Sequence, residues 1–133
     1  MTEFVHLHLH TEFSLLDGAC RIEELMDEAD RAGVPALAVT EHGNMFSTIT
    51  FHDEAKKRGI KPILGCEVYV APESRLTKSG SPGETANHLV LLAENLTGYH
   101  NLIKLVSSGY TEGFYYRPRI DKDLLASHAN GLI

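Results

Sequence analysis

The first alternation of apolar and polar positions falls between Phe4 and His10, where Leu7 and Leu9 interleave with His6, His8 and His10. Side chains two apart on an extended strand share a face, so the pattern predicts a strand with leucines towards a core and three imidazoles on the opposite side. Residues Thr11 to Gly18 break the alternation with polar and turn-forming side chains. From Arg21 to Ala32 the period changes. Ile22, Leu25, Met26 and Ala29 form one stripe while Glu23, Glu24, Asp27, Glu28 and Asp30 face away, which predicts an amphipathic helix ended by Gly33 and Pro35.

Pro35 to Thr40 is a nearly unbroken apolar run, the pattern of a strand covered on both faces, and Glu41-His42-Gly43-Asn44 interrupts it. A second helix is predicted from Phe46 to Arg58, and Gly59-Ile60-Lys61-Pro62 echoes the earlier Gly33-Val34-Pro35 ending. Twice the chain reads strand, polar turn, helix, glycine, proline, strand. That repeat predicts βα units and a parallel sheet with right-handed crossovers. Ile63 to Val70 is the third strand, Pro72 to Thr85 a surface loop or hairpin excursion, and His88 to Ala93 the fourth strand. Thr97 is the expected cap of a helix carrying Tyr99, Leu102, Ile103 and Val106 on one face. Asp121 is placed to cap a short helix, Lys122 to Ser127, and Gly131-Leu132-Ile133 begins another strand, which reads as a piece of a longer protein.

Composition narrows the partners. At 133 residues and 43% hydrophobic content, the chain has the length and make-up of one globular domain. It has no apolar stretch of membrane-spanning length and no basic-then-apolar leader, so the expected location is cytoplasmic and no membrane partner is expected. Cys20 and Cys66 are isolated and are expected as free thiols. Twelve Lys and Arg against 18 Asp and Glu give a net charge of −6. A domain that gripped nucleic acid by its own cations would be basic, so bound metal ions are the expected source of positive charge if phosphate esters are handled.

Three imidazoles at period two, followed by Asp17 in a turn ended by Gly18, form a candidate metal or phosphate site. Same-face strand residues lie roughly 7 Å apart, close enough for two rings to share one ion or serve two adjacent ones. Imidazole with carboxylate suits zinc, manganese or iron better than magnesium alone. Period two leaves His6 and His10 equally open as partners of His8. Glu67 interrupts an apolar strand, and a buried carboxylate needs a cation or a hydrogen-bonding network. Arg117 and Arg119, beside Phe114, Tyr115 and Tyr116, are candidate substrate-facing cations.

The ordered motifs His8-Leu9-His10-Thr11, Ser14-Leu15-Leu16-Asp17-Gly18, Thr40-Glu41-His42-Gly43-Asn44, Gly65-Cys66-Glu67-Val68-Tyr69 and Asn87-His88-Leu89-Val90 resemble the polymerase and histidinol phosphatase (PHP) domain family. With Tyr116-Arg117-Pro118-Arg119, the likeness narrows to the N-terminal segment of the C-family bacterial replicases, the DNA polymerase III alpha subunits. The resemblance implies an α/β fold, a partial, distorted (β/α)7 barrel truncated after about four to five strands, in which residues 1–133 are the N-terminal part of the domain and the remaining strands and polymerase domains follow. It implies His8, His10, Asp17, His42, Glu67 and His88 as metal ligands for up to three divalent ions, and decides for His10 over His6. Later family ligands, a cysteine or histidine and a closing Asp-x-His, fall beyond Ile133, so an isolated chain of this length is expected to bind metals incompletely. Where many relatives carry Asp-His-Gly, this chain has Glu41-His42-Gly43.

The function implied is a metal-dependent phosphoesterase of the 3′-to-5′ exonuclease, proofreading type, within a DNA-directed DNA polymerase whose nucleotidyl transfer uses Mg2+ at a downstream site. DNA, deoxynucleotides, other polymerase III holoenzyme subunits and a separate proofreading exonuclease are the partners implied. Two alternatives stand beside it: a non-catalytic scaffold of the same polymerase that docks a proofreading subunit, and a stand-alone phosphatase such as histidinol phosphatase.

Overall fold

The computed structural model describes residues 4–133. Helix α1 spans Ile22–Arg31, strand β1 Ala36–Val39, α2 Thr48–Lys57, β2 Lys61–Val70, β3 Asn87–Leu92, α3 Leu96–Thr111, β4 Arg119–Ile120 and α4 Lys122–Ser127. Both predicted βα endings are present. After α1, Val34 N donates to Ala29 O, and after α2, Ile60 N donates to Ala55 O, each at 3.0 Å. Gly33 (φ 65°) and Gly59 (φ 70°) make these left-handed closures without a side-chain clash. The chain then returns antiparallel to each helix, so β1 and β2 pair in parallel from Ala36 opposite Lys61 to Val39 opposite Leu64.

The second half departs from an all-parallel sheet. β3 pairs antiparallel to β2, with Glu67 opposite Val90, so residues 71–86 form a hairpin excursion rather than a crossover. β4 lies parallel to β2 through Tyr69 and Arg119. Beyond β3, Leu92 and Ile133 exchange both backbone hydrogen bonds, at 2.8 and 3.0 Å, so the last residues do begin to pair as a strand. The cap of α3 is Asn95, whose side chain accepts from Gly98 N, and not Thr97. Asp121 caps α4 as expected, accepting from Leu124 N.

Two apolar clusters carry the stability. One gathers Ile22, Met26 and Ala29 of α1, Leu37 and Val39 of β1, and Phe51 and Ala55 of α2. The other joins Cys66, Val68 and Val70 of β2 to Leu91 of β3, Leu102 and Leu105 of α3, and Ile120 of β4. Met26 and Phe51 are fully buried, and each contributes about 1.5–3 kcal/mol relative to an exposed side chain. No helix among the described residues is long and apolar enough to cross a membrane.

Candidate metal centre

The N-terminal segment does not form the regular strand that its alternation predicts. His6 O and Leu9 O, three residues apart, accept from Ala38 N of β1 and from Thr40 N just past its end, two residues apart. One extra residue is therefore accommodated, and the chain bends at Leu7 and His8. The bend alters the faces. Leu7 is exposed while Leu9 packs on the first core, and His6 turns to Phe4, with ring centroids 4.8 Å apart, away from His8 and His10.

The β1 segment continues beyond Val39 in register with β2: Glu41 O accepts from Glu67 N, and Glu67 O accepts from Gly43 N. His42 is thereby held beside Glu67. On the other side of β2, His88 lies opposite Tyr69. The turn after His10 closes through Gly18 N and Ser14 O at 2.8 Å, and a Cβ at Gly18 would stand 1.8 Å from Thr11 O, so only glycine lets Asp17 double back over the histidines.

All six predicted side chains meet at one rim. Glu67 is 3% exposed, and its two oxygens divide the imidazoles between them. Oε2 meets His8 Nε2 in a short contact and His10 Nε2 at 3.1 Å. Oε1 meets His42 Nδ1 at 3.0 Å and His88 Nδ1 at 2.5 Å. Asp17 stands at the exposed margin, where Oδ2 reaches His42 Nε2 at 3.0 Å. The rings of His10 and His42 stack with centroids 3.8 Å apart. Two trios, His8–His10–Glu67 and His42–Glu67–His88, each bring their ligand atoms within 4.8 Å of one another. Burial opposes ionisation of Glu67, but the hydrogen bonds and charge of His8, His42, His88 and His10 outweigh it and hold the carboxyl below its usual range.

The donor chemistry fits a divalent cation. Ser14 Oγ donates its proton to Glu41 and accepts from His42 N, so His10 Nδ1, 3.2 Å away, must donate to Ser14. In neutral His10, Nε2 then presents a lone pair with the Glu67 oxygen and His8 Nε2 each 3.1 Å away, so the single proton that His8 Nε2 can carry would have to serve two acceptors unless a cation lies among them. Burial, and next the neighbouring His42, push the pKa of His10 down, which disfavours the extra proton. A metal ion answers the same need.

The sequence reading missed the device behind this arrangement. Glu41 is 1% exposed and accepts from Thr11 N, Thr11 Oγ, Ser14 Oγ and Ser47 Oγ, none of them charged. Asn44 Nδ2 bridges Phe13 O and His42 O, tying the first turn to the second. The hydroxyls at Thr11, Ser14 and Ser47 were the available signal: small donors in turns on both sides of one acid.

The two candidate arginines separate. Arg117 donates to His88 Nε2 at 3.1 Å and lies over the Tyr69 ring, 5.1 Å from its centroid. Arg119 does not face substrate. It is 2% exposed, and its guanidinium donates to the carbonyls of Gly113, Arg75, Thr77 and Thr85, filling the role of a backbone clamp. Against the histidine rim opens a cavity of about 410 Å3 that includes Asp17, His42, His88 and Arg117. A larger hollow of about 520 Å3 runs along α1 but contains no such cluster.

The PHP domain family matches residues 6–133. This chain belongs to the PHP domain family. The PHP segment is 51% identical over 133 residues to DNA polymerase III subunit alpha of Borreliella burgdorferi, a match that covers 99% of this chain and 12% of that protein. It is 53% identical over 131 residues to the protein of the same name from Treponema pallidum, covering 98% of this chain and 11% of that protein. The segment therefore spans about one-eighth or less of the length of these relatives. Its partial α/β sheet also matches a solved amidohydrolase from Chromobacterium violaceum with bound sulfate and no metal, at TM-score 0.56 and 28% identity, over 78% of this chain and 32% of that one.

Proposed function

We propose that the rim around Glu67 holds divalent cations and hydrolyses phosphodiesters from the 3′ end of a nucleic-acid strand, and that the segment is the N-terminal part of the PHP domain of a replicative DNA polymerase. The observation that carries the hydrolytic reading is a buried carboxylate whose every oxygen is faced by two imidazoles, one of them with its proton committed elsewhere. The polymerase assignment rests on about half of all residues being identical to proteins of that name across nearly the whole segment.

His8, His10 and Oε2 of Glu67 would hold one ion, and His42, His88 and Oε1 a second, with Asp17 adding a carboxylate at the open edge. Ions of the zinc, manganese or iron type held there would supply a water that ionises near neutral pH and would neutralise charge on the phosphate. Hydrolysis adds hydroxide to phosphorus as the bond to the leaving sugar oxygen breaks, and the water's remaining proton ends on that oxygen. Ser14 keeps His10 presenting Nε2, and Asp17 orients His42 through its Nε2. His88 would offer Nδ1 to such an ion, and Arg117, which donates to His88 Nε2, stands beside it where its guanidinium could meet a substrate phosphate.

The test is a comparison of two activities in the full-length protein. His8→Ala is expected to abolish manganese- or zinc-dependent release of 3′ nucleotides while DNA synthesis stays within about twofold of the unaltered protein, because synthesis uses a separate site. Equal loss of both activities, or nuclease activity untouched by the substitution, rules out a nuclease centred on Glu67; the second result favours the scaffold reading.

A further inference from the structure

The cavity beside the histidines has a second character that metal chemistry does not explain. Apart from Asp17, His42, His88, Ser14, Asn44 and Arg117 its lining is apolar and aromatic, and much of that part faces solvent: Phe46 is 61% exposed, Tyr110 41% and Tyr116 55%. The rings of Phe46 and Tyr110 lie with centroids 6.5 Å apart, and Tyr110 stacks on Phe114 at 6.3 Å. Four of the chain's ten Phe and Tyr residues thus gather in one half-exposed patch that opens on the candidate metal centre. Scattered surface aromatics need no explanation, but a contiguous patch at the mouth of a polar site does.

The backbone supplies an independent sign. Tyr116 has φ 59°, the one positive φ outside glycine among the described residues. A bulky aromatic in the left-handed region is held there against its own preference. The turn is closed by Tyr115 N donating to Arg117 O at 3.1 Å. Its effect is to send two neighbouring side chains, Tyr116 and Arg117, into the same cavity, where a regular extended chain would point them to opposite sides. The strained turn delivers one aromatic face and one guanidinium to the rim. Arg117 is the sole lysine or arginine among the residues lining the cavity.

We infer that this cavity is the subsite for one unpaired terminal nucleotide, its base packed against the exposed rings of Phe46, Tyr110 and Tyr116 and its phosphate against Arg117. Planar aromatic faces recognise the π-face of a base without regard to its identity, and only a base out of its duplex offers that face. A single cation matches a single phosphate. One cation among the described lining residues, in a chain of net charge −6, argues for an end rather than a long stretch of strand. The inference rests on the hydrolytic reading for which bond is cut, but not for where the base sits.

Two measurements on the full-length protein separate the two ideas. The first uses a single-stranded oligonucleotide ending in 5-iodo-deoxyuridine, irradiated in the presence of chelator so that no cleavage occurs, with adducts mapped by mass spectrometry. An adduct on Phe46, Tyr110 or Tyr116 is expected. The second compares, with manganese, the KM for an oligonucleotide ending in thymidine with that for one ending in an abasic residue. The thymidine end is expected to show a KM lower by about tenfold, and Tyr116→Gly or Phe46→Ala to bring the ratio close to one. Tyr116→Gly suits the test because glycine adopts the left-handed turn freely. Adducts on none of the three rings, together with equal KM values in the unaltered protein, overturn the subsite. An adduct on these rings without any cleavage upholds the subsite and overturns the hydrolytic reading instead.

Discussion

Two glutamates, Glu41 and Glu67, lie side by side where the β1 segment runs beyond its strand, joined by the bond from Glu67 N to Glu41 O at 3.0 Å. Both are buried, at 1% and 3% exposure, and among the described residues neither is paired with lysine or arginine. Their surroundings differ in one respect. Glu41 is met by three hydroxyls and a backbone amide, groups that offer protons and keep them. Glu67 is met by four imidazoles, each of which also carries a lone pair when neutral. The first set saturates its carboxylate, while the second assembles more lone pairs than protons around one point. Burial of an acid therefore says little about its role; the capacity of its neighbours to donate or to ligate decides.

Exchanging the character of either acid tests this contrast. The largest effect is expected for Glu67→Gln, which removes one carboxylate shared by both trios: metal retained after dialysis, measured by elemental analysis, should fall at least about a hundredfold in affinity. Glu41→Gln should leave the ligands in place but place an amide among hydroxyl donors. The expected loss is about tenfold in metal affinity, with about 1–3 kcal/mol of stability lost in denaturant titrations under chelator. If the two substitutions weaken metal binding equally, the distinction between a filled and an open carboxylate is wrong. Ser14→Ala comes next. It removes the acceptor for His10 Nδ1, and nitrogen NMR of the His10 ring in the metal-free protein should show Nδ1 and Nε2 sharing the proton instead of holding it on Nδ1.

The smallest effect is that of pH on the metal-free protein. His10 has a folded pKa lowered, by burial first, from its ordinary 6.5, so below that value the unfolded chain binds more protons and stability falls as pH drops. Glu67, whose folded pKa lies below the ordinary 4.5, contributes stability that persists above that value and is lost as pH falls through the lowered one. Denaturant midpoints measured in chelator should decline in two stages, and His10→Gln should flatten the first stage while only weakening the second, in which His8, His42 and His88 still act on Glu67.

Much of this was legible in the residues themselves. The repeated glycine and proline endings at Gly33 and Gly59 foretold both helix ends and the parallel pairing of β1 with β2, because closing a helix with a left-handed residue is a local property. Asp121 announced its helix for the same reason. What failed was non-local. The bend at Leu7 and His8 comes from pairing with β1 across some thirty residues, and no alternation in the first ten could reveal the extra one. The antiparallel course of β3 depends on how far the 71–86 excursion travels before returning. Glu41 looked like a variant of a turn motif because its partners lie at Thr11, Ser14 and Ser47, in separate turns. Arg117 and Arg119, two apart in an aromatic segment, gave no hint that the turn at Tyr116 would send one to the cavity while the other became a clamp.

That clamp bears on how such a sequence tolerates change over time. Arg119 grips the excursion at Arg75 and Thr77 on its way out and at Thr85 on its way back, and Gly113 from behind. Residues 78–84, between the gripped carbonyls, are where a change of length would leave every one of those bonds intact. A lysine at position 119, with one ammonium in place of a five-donor fork, would surrender the grip and let the excursion drift in register as well as in length.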